Sequence, residues 1–271
     1  FKRNMDGGVD EAVVGTVVEQ LGSLAAHVAG DDSRDSLEQF VAAAFADRYA
    51  AVGWAPGADE TADERMKRAA ILGAMGRIAR VAEVRHEARR RLDAYLDNGS
   101  SLDPNLASVV VNIAAADGDA ALFERYLERK RGARTDPEEE QRFLLALGGF
   151  DDPSLVQRAL QLSLTDEVRP QDRTFLFATL LGRPASRLAA WDFVRERWED
   201  IRAGMDPMLM QGLVRSMSQL CEPSIAADVS AFLEQRATPQ TQATVAQSRE
   251  QLRIDAAAVG RLRPALRAAP G

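Results

Sequence analysis

Leu188-Ala189-Ala190-Trp191-Asp192-Phe193-Val194-Arg195-Glu196-Arg197-Trp198-Glu199-Asp200-Ile201 decides the fold class. Leu188, Trp191, Val194, Trp198 and Ile201 follow at steps of three, three, four and three. Side chains so spaced share one face of a helix that turns about every 3.6 residues. The charged residues between them, from Asp192 to Asp200, take the other face and meet water. A helix with one apolar face must find a neighbour for it. Trp191 and Trp198 lie one heptad apart on this stripe and read as core anchors.

The same period runs outward in both directions. Val13, Val17, Leu21, Leu24 and Val28 step by four, four, three and four. Ile225, Val229 and Phe232 lead to Arg236, the polar end of their stripe. No convincing period-two strand interrupts the pattern. Proline supplies the punctuation. Asp103-Pro104, Asp136-Pro137, Asp152-Pro153 and Asp206-Pro207 each place an acceptor before a residue that lacks an amide hydrogen, which suits a helix start. Glu222-Pro223 and Thr238-Pro239 are weaker versions. The spacing is 16 residues from 136 to 152, from 206 to 222 and from 222 to 238, and 33 from 103 to 136. One helix and a turn fill the shorter interval and a helical hairpin the longer, the size of an α-hairpin repeat.

These signals predict helices over 9–29, 34–52, 62–80, 83–97, 104–116, 119–131, 137–147, 153–164, 171–181, 185–202, 207–220, 223–236 and 239–258, with a further turn towards 267. The expected fold is all-α: about a dozen helices in antiparallel pairs, stacked as an irregular, bowl-shaped α-solenoid of the HEAT or armadillo kind. The widest break, Gly53 to Glu64, is either a hinge or a long turn. Periodicity on both sides of it favours one continuous helical domain over 1–271, with a frayed tail from Pro264 to Gly271.

Composition narrows the function classes. The chain has 271 residues, 46% hydrophobic and 28% charged, and a formal net charge of -7. That balance argues against nonspecific nucleic-acid binding, which needs excess cations along the phosphates. One cysteine leaves no disulfide framework and no thiolate metal site. Apolar runs such as Val109-Val110-Val111 fall far short of the roughly 20 residues that cross a bilayer. The chain opens on Phe1 rather than methionine, and Phe1-Lys2-Arg3-Asn4 has no signal-peptide character. It is expected to be a fragment, which leaves the compartment open.

Motifs for chemistry end in near misses. His86-Glu87-Ala88-Arg89-Arg90 begins like the zinc motif H-E-x-x-H, but Arg90 stands where the second imidazole must leave the same helix face. The only other histidine is His27. Cys221 has no base beside it in the sequence and reads as a small thiol at a helix end. Neither G-x-x-x-x-G-K-[ST] nor G-x-G-x-x-G after a strand occurs. Arg89-Arg90-Arg91 and the stretch 125–134 are basic, but interleaved Asp93, Glu124 and Glu128 make them salt-bridged faces. No catalytic or metal-binding residue is assigned within the chain.

A family resemblance rests on residues 142 to 201. Arg142-Phe143-Leu144-Leu145-Ala146-Leu147-Gly148, followed by Asp151-Asp152-Pro153-Ser154-Leu155, resembles a leucine-rich helix, a short turn and a D-P helix start. Val168-Arg169-Pro170-Gln171-Asp172 is similar to V-R-x-Q-D, and the stretch from Ala190 to Trp198 to A-W-x-F-x-x-x-x-W. In this order the motifs resemble the C-terminal helical domain of gluzincin zinc aminopeptidases, of the aminopeptidase N and endoplasmic-reticulum aminopeptidase type. Val52-Gly53-Trp54, the stretch from Ala88 to Leu96, and Leu102-Asp103-Pro104-Asn105-Leu106 with Asp117-Gly118-Asp119 extend it over roughly 10 to 255. Gly73-Ala74-Met75-Gly76 is similar to the start of the family's amine-binding G-x-M-E-N, but Gly76 and Arg77 replace its last two residues. These glycines then read as allowing close helix packing.

The resemblance implies a non-catalytic domain that covers the catalytic cleft, shapes the chamber for the peptide and swings between open and closed arrangements. The parent would remove N-terminal amino acids from peptides. Zinc, its ligands and the general base would belong to the parent's catalytic domain, and no cofactor to this chain. The implied partners are that domain and the peptide. Peptide-contacting residues are not assigned. Arg169 and Gln171 sit in the signature, where helix capping and packing is the plainer role. The alternative is an autonomous α-solenoid scaffold that binds a protein partner in its groove.

Overall fold

The computed structural model describes residues 11–57 and 59–267. The opening Phe1-Lys2-Arg3-Asn4, the helix start expected at 9 and the tail beyond 267 lie outside them. The described residues contain fourteen α-helices and no strand. They cluster into two compact units, one reaching to Ala116 and taking in Leu266, the other Asp117–Ala265.

In the first unit, α1 (Glu11–Ser23) runs into a π-helical turn, Leu24–Val28, and is followed by α2 (Asp31–Val52). Helix α3 (Ala62–Gly73) likewise ends in a π-turn, Ala74–Ile78, before α4 (Ala82–Asp97) and α5 (Pro104–Ala116). Val14, Leu21, Val41, Phe45, Ile71 and Met75 form its core. The α1 stripe is rotated from its expected position. Val14 is buried and Val13 is 45% exposed, because α1 turns towards α3 the face that Val14 and Leu21 share. The close approach expected of Gly73 and Gly76 is present. A methyl group at Gly76 would stand 2.5 Å from Cδ1 of Ile113, and one at Gly73 would stand 3.3 Å from Cγ2 of Val109.

The break from Gly53 to Glu64 lies inside this unit and is tied at both ends. Gly53 has φ 53°, a left-handed backbone that costs glycine least, which explains its place before Trp54. The guanidinium of buried Arg68 donates from Nη1 to the Gly53 carbonyl at 3.0 Å and from Nη2 to Glu60. Thr61 then opens α3 with a reciprocal capping box. Its Oγ1 accepts from the Glu64 amide at 3.3 Å, and the Glu64 carboxylate accepts from the Thr61 amide at 2.7 Å.

The second unit holds α6 (Ala120–Gly132), α7 (Pro137–Leu147), α8 (Pro153–Leu162), α9 (Pro170–Gly182) and α10 (Arg187–Glu196). It continues with α11 (Trp198–Ala203), α12 (Pro207–Met217), α13 (Ala226–Gln235) and most of α14 (Gln242–Arg267). Helix α6 pairs with α7, and α9 packs on α7, α10 and α12. Tyr126 meets Phe143 and Phe150 edge-on at 5.1 and 5.6 Å between ring centroids.

The Asp-Pro punctuation reads correctly at all four positions. Oδ1 of Asp103 accepts from the Asn105 amide at 2.8 Å and that of Asp136 from Glu139 at 3.1 Å. Asp152 caps Ser154 and Leu155 at 2.8 and 3.2 Å, and Asp206 caps Met208 and Leu209 at 2.8 and 3.0 Å. Each Asp→Ala variant is expected to lose about 0.5 to 2 kcal/mol in urea unfolding, from helix-start amides left without an acceptor. Four neutral variants would overturn this assignment. Asp119 caps Leu122 at 2.9 Å without a following proline, so the same punctuation rule missed it.

Four expected boundaries shift. At Glu222-Pro223 and Thr238-Pro239 the chain first makes one wide turn, closed by the Ala226 and Gln242 amides on the carbonyls of Glu222 and Thr238. The helices begin at Ala226 and Gln242, and no carboxylate cap precedes either proline. The expected helix over 185–202 bends at Arg197 into α10 and α11. Helix α14 continues through Pro264 to Arg267 instead of fraying, because Leu266 packs on the first unit's core and Arg267 pairs with Asp32 at 2.6 Å.

Candidate functional site

The second unit carries an apolar cavity of about 250 Å³ between α11, α12, α13 and the start of α14. Trp198, Met210, Val214, Leu233 and Val245 form its floor, Arg202 and Arg236 its cationic edge, and Thr238 and Thr241 line it too. The local sequence builds it directly. Trp198 and Ile201 carry the apolar stripe of α10 into α11, and Asp206 fixes the start of α12 that brings Met210 and Val214 to the cavity. Trp191 and Trp198 both meet the single ring of Phe232 edge-on, at 5.0 and 5.2 Å. The bend at Arg197 falls between these two indoles. The guanidinium of Arg236 lies over the same Phe232 ring, 3.8 Å from its centroid.

The two arginines differ in what holds them. Arg202 donates from Nε and Nη2 to one oxygen of Glu199, at 3.1 and 2.5 Å. Arg236 makes no ion pair and no side-chain hydrogen bond among the described residues; its fixed contact is the Phe232 ring. In the sequence Arg236 is the polar end of a stripe, and nothing along the chain signals its freedom from a carboxylate.

The residues singled out by sequence do not converge on a reactive centre. His86 is exposed on α4, where Glu87 beside it accepts from Arg90 and Arg91. Those bonds hold the Glu87 carboxyl below the usual carboxylate range. His27 lies in the π-turn after α1. Among the described residues no three His, Cys, Asp or Glu side chains are placed to hold a metal ion. The described residues therefore offer no donor set that fits a zinc centre. Cys221 is buried, and burial, with Asp255 adding, pushes its thiol up, away from the nucleophilic thiolate. Glu222, read as a weak cap, instead accepts from both terminal nitrogens of Arg263 at 2.8 Å each, which holds its carboxyl low.

In the V-R-x-Q-D signature, Val168 is buried and Gln171 exposed. Arg169 occupies the position before α9 but does not cap it. Its guanidinium pairs with Asp172 at 2.7 Å and with Glu140 at 3.4 Å. In the V-G-W stretch, Trp54 donates to the Tyr49 hydroxyl at 3.2 Å and carries the Arg91 guanidinium 5.0 Å above its ring. The basic stretches are salt-bridged, largely through carboxylates other than the interleaved ones. Arg89 does pair with Asp93, but Arg90 and Arg91 use Glu87, Arg129 uses Glu139, and Arg131 uses Glu167.

A family profile described as "ERAP1-like C-terminal domain" matches residues 6–254. The chain belongs to this family. Its ERAP1-like C-terminal domain is 28% identical over 236 residues to aminopeptidase M1 of Arabidopsis thaliana, covering 84% of this chain and 26% of that protein. It is 29% identical over 216 residues to aminopeptidase M1-C of Oryza sativa subsp. japonica, covering 76% and 24%. The probable aminopeptidase 1 of Saccharolobus solfataricus is 25% identical over 183 residues, covering 65% and 23%. The domain thus spans about a quarter of the length of these curated relatives. No helix among the described residues is long and apolar enough to cross a membrane.

Proposed function

We propose that this chain is the non-catalytic C-terminal domain of a zinc aminopeptidase, covering the catalytic cleft and shaping how peptides enter and lie there. The observation that carries this reading is the family match over 6–254, in a chain that spans about a quarter of relatives named aminopeptidases. The parent removes N-terminal amino acids from peptides. Its catalytic domain would hold the zinc, which would supply Lewis-acid chemistry and an activated water there. This chain's helices contribute surface against that domain and against the body of the peptide. Packing of α9 on both α7 and α12 supports stacked helix pairs, as in an irregular solenoid, within the second unit.

The test separates peptide lengths. The isolated chain should release no N-terminal residue with or without added zinc. In the parent enzyme, deleting this segment should impair processing of long peptides more than of a one-residue chromogenic substrate, because only the long peptide extends beyond the zinc pocket. Zinc-dependent turnover by the isolated chain, lost in His86→Ala, would sink the non-catalytic assignment. Equal loss on all lengths would make the domain a structural support alone.

A further inference from the structure

The cavity between α11, α12, α13 and α14 has a ligand chemistry of its own. We propose that it binds a small organic acid, with an aromatic or branched aliphatic body on the apolar floor and one carboxylate held by Arg236. This goes beyond the aminopeptidase reading and does not rest on it.

Size and lining set the class of ligand. A cavity of about 250 Å³ is smaller than the roughly 300–1,000 Å³ typical of drug-sized sites, so the occupant is fragment-sized. Trp198, Met205, Met210, Val214, Leu233 and Val245 offer apolar and thioether surface, and no Asp or Glu lines the cavity. Thr238, Gln240 and Thr241 give the cavity a short polar side, but the two threonine hydroxyls already bond to each other at 3.1 Å, so a sugar or other polyol would leave most of its hydroxyls unpaired against the apolar floor.

Arg236 sets the charge. Its guanidinium carbon lies 3.8 Å over the ring of Phe232, which Trp191 and Trp198 both meet edge-on. Stacking of this kind engages the guanidinium face and leaves the N–H edge free. None of those N–H donors meets a side-chain or carbonyl acceptor among the described residues, whereas Glu199 occupies two of Arg202's. A pre-oriented fork beside an apolar floor suits a carboxylate, which takes two parallel N–H bonds. A phosphate dianion fits less well, since only one cation at the cavity lacks a carboxylate partner.

The probe is 3-phenylpropionate, compared with its neutral isostere 3-phenylpropionamide. Both are titrated into the whole chain by calorimetry and by tryptophan emission, which reports on Trp198 at the cavity. The acid should bind with a Kd on the order of 1 mM or tighter, as ordinary ligand efficiency gives for about eleven heavy atoms. The amide should bind at least about tenfold more weakly, having lost the charge-assisted pair. Arg236→Gln should lose the acid by a similar factor, and Arg202→Gln should change it by less than about threefold, since Glu199 already occupies that side chain. If Arg236→Gln fails to fold, the comparison of acid with amide on the unaltered chain still decides the matter. Equal binding of acid and amide would overturn the proposal, as would no acid binding at about 10 mM or a loss confined to Arg202→Gln.

Discussion

Trp191→Ala is expected to lower the stability of the folded chain by about 3 to 5 kcal/mol, read as a fall in the urea midpoint. The indole is 2% exposed and meets Phe232 edge-on, 5.0 Å between centroids, with Phe232 in turn meeting Trp198. Truncation removes a large apolar area and leaves a cavity that fixed helices cannot close. The indole N–H donates to Asp228 at 3.3 Å, but that carboxylate is half exposed, so the bond adds little. Trp191→Phe should therefore cost much less than Trp191→Ala, because it keeps most of the ring and gives up only the weak polar contact. A Trp191→Ala variant that folds with unchanged stability but fails to bind peptide would make this residue a ligand contact instead.

The second large effect belongs to Arg68. Arg68→Met should cost about 3 kcal/mol or more, because it strands a buried carboxylate without its cation. The side chains of Arg68 and Glu60 are 6% and 10% exposed, and Arg68 also supplies the Gly53 carbonyl with its hydrogen bond. One truncation thus leaves two acceptors behind, one of them charged. The pair with Glu60→Gln is diagnostic. If the penalty comes from the stranded charge, the double variant should be more stable than Arg68→Met alone, since a neutral amide tolerates burial better than a carboxylate. A double variant no better than Arg68→Met would place the whole effect on the Gly53 carbonyl and the turn it holds.

Much of this was legible in the sequence because local rules act over one or two helical turns. The all-α class, the four Asp-Pro helix starts and the break after Gly53 follow from residue spacing, from a carboxylate that reaches amides two or three residues on, and from a glycine that tolerates φ 53°. The family, too, was readable from motif order between 142 and 201, and the match over 6–254 bears it out.

What required the tertiary structure was every choice between two locally acceptable faces or partners. A stripe four residues wide tells that α1 and α10 are amphipathic, but the neighbour decides where its centre falls. Val14 is buried and Val13 exposed, and Leu188 is 53% exposed while Arg187, Ala190 and Trp191 turn inward. Long-range partners are equally invisible along the chain. Glu222 finds Arg263 across 41 residues, Arg131 finds Glu167 across 36, and the bend at Arg197 lies between two indoles that meet one distant ring. The cavity belongs to the same class. Its floor comes from four helices, and the freedom of Arg236 from any carboxylate depends on which side chains the packing brings near it. Sequence determined which residues could form helices and where these begin, since backbone hydrogen bonding is settled within a few residues. Only the packed structure decided which faces and charges meet, because burial and pairing depend on surfaces that the chain brings together from far apart.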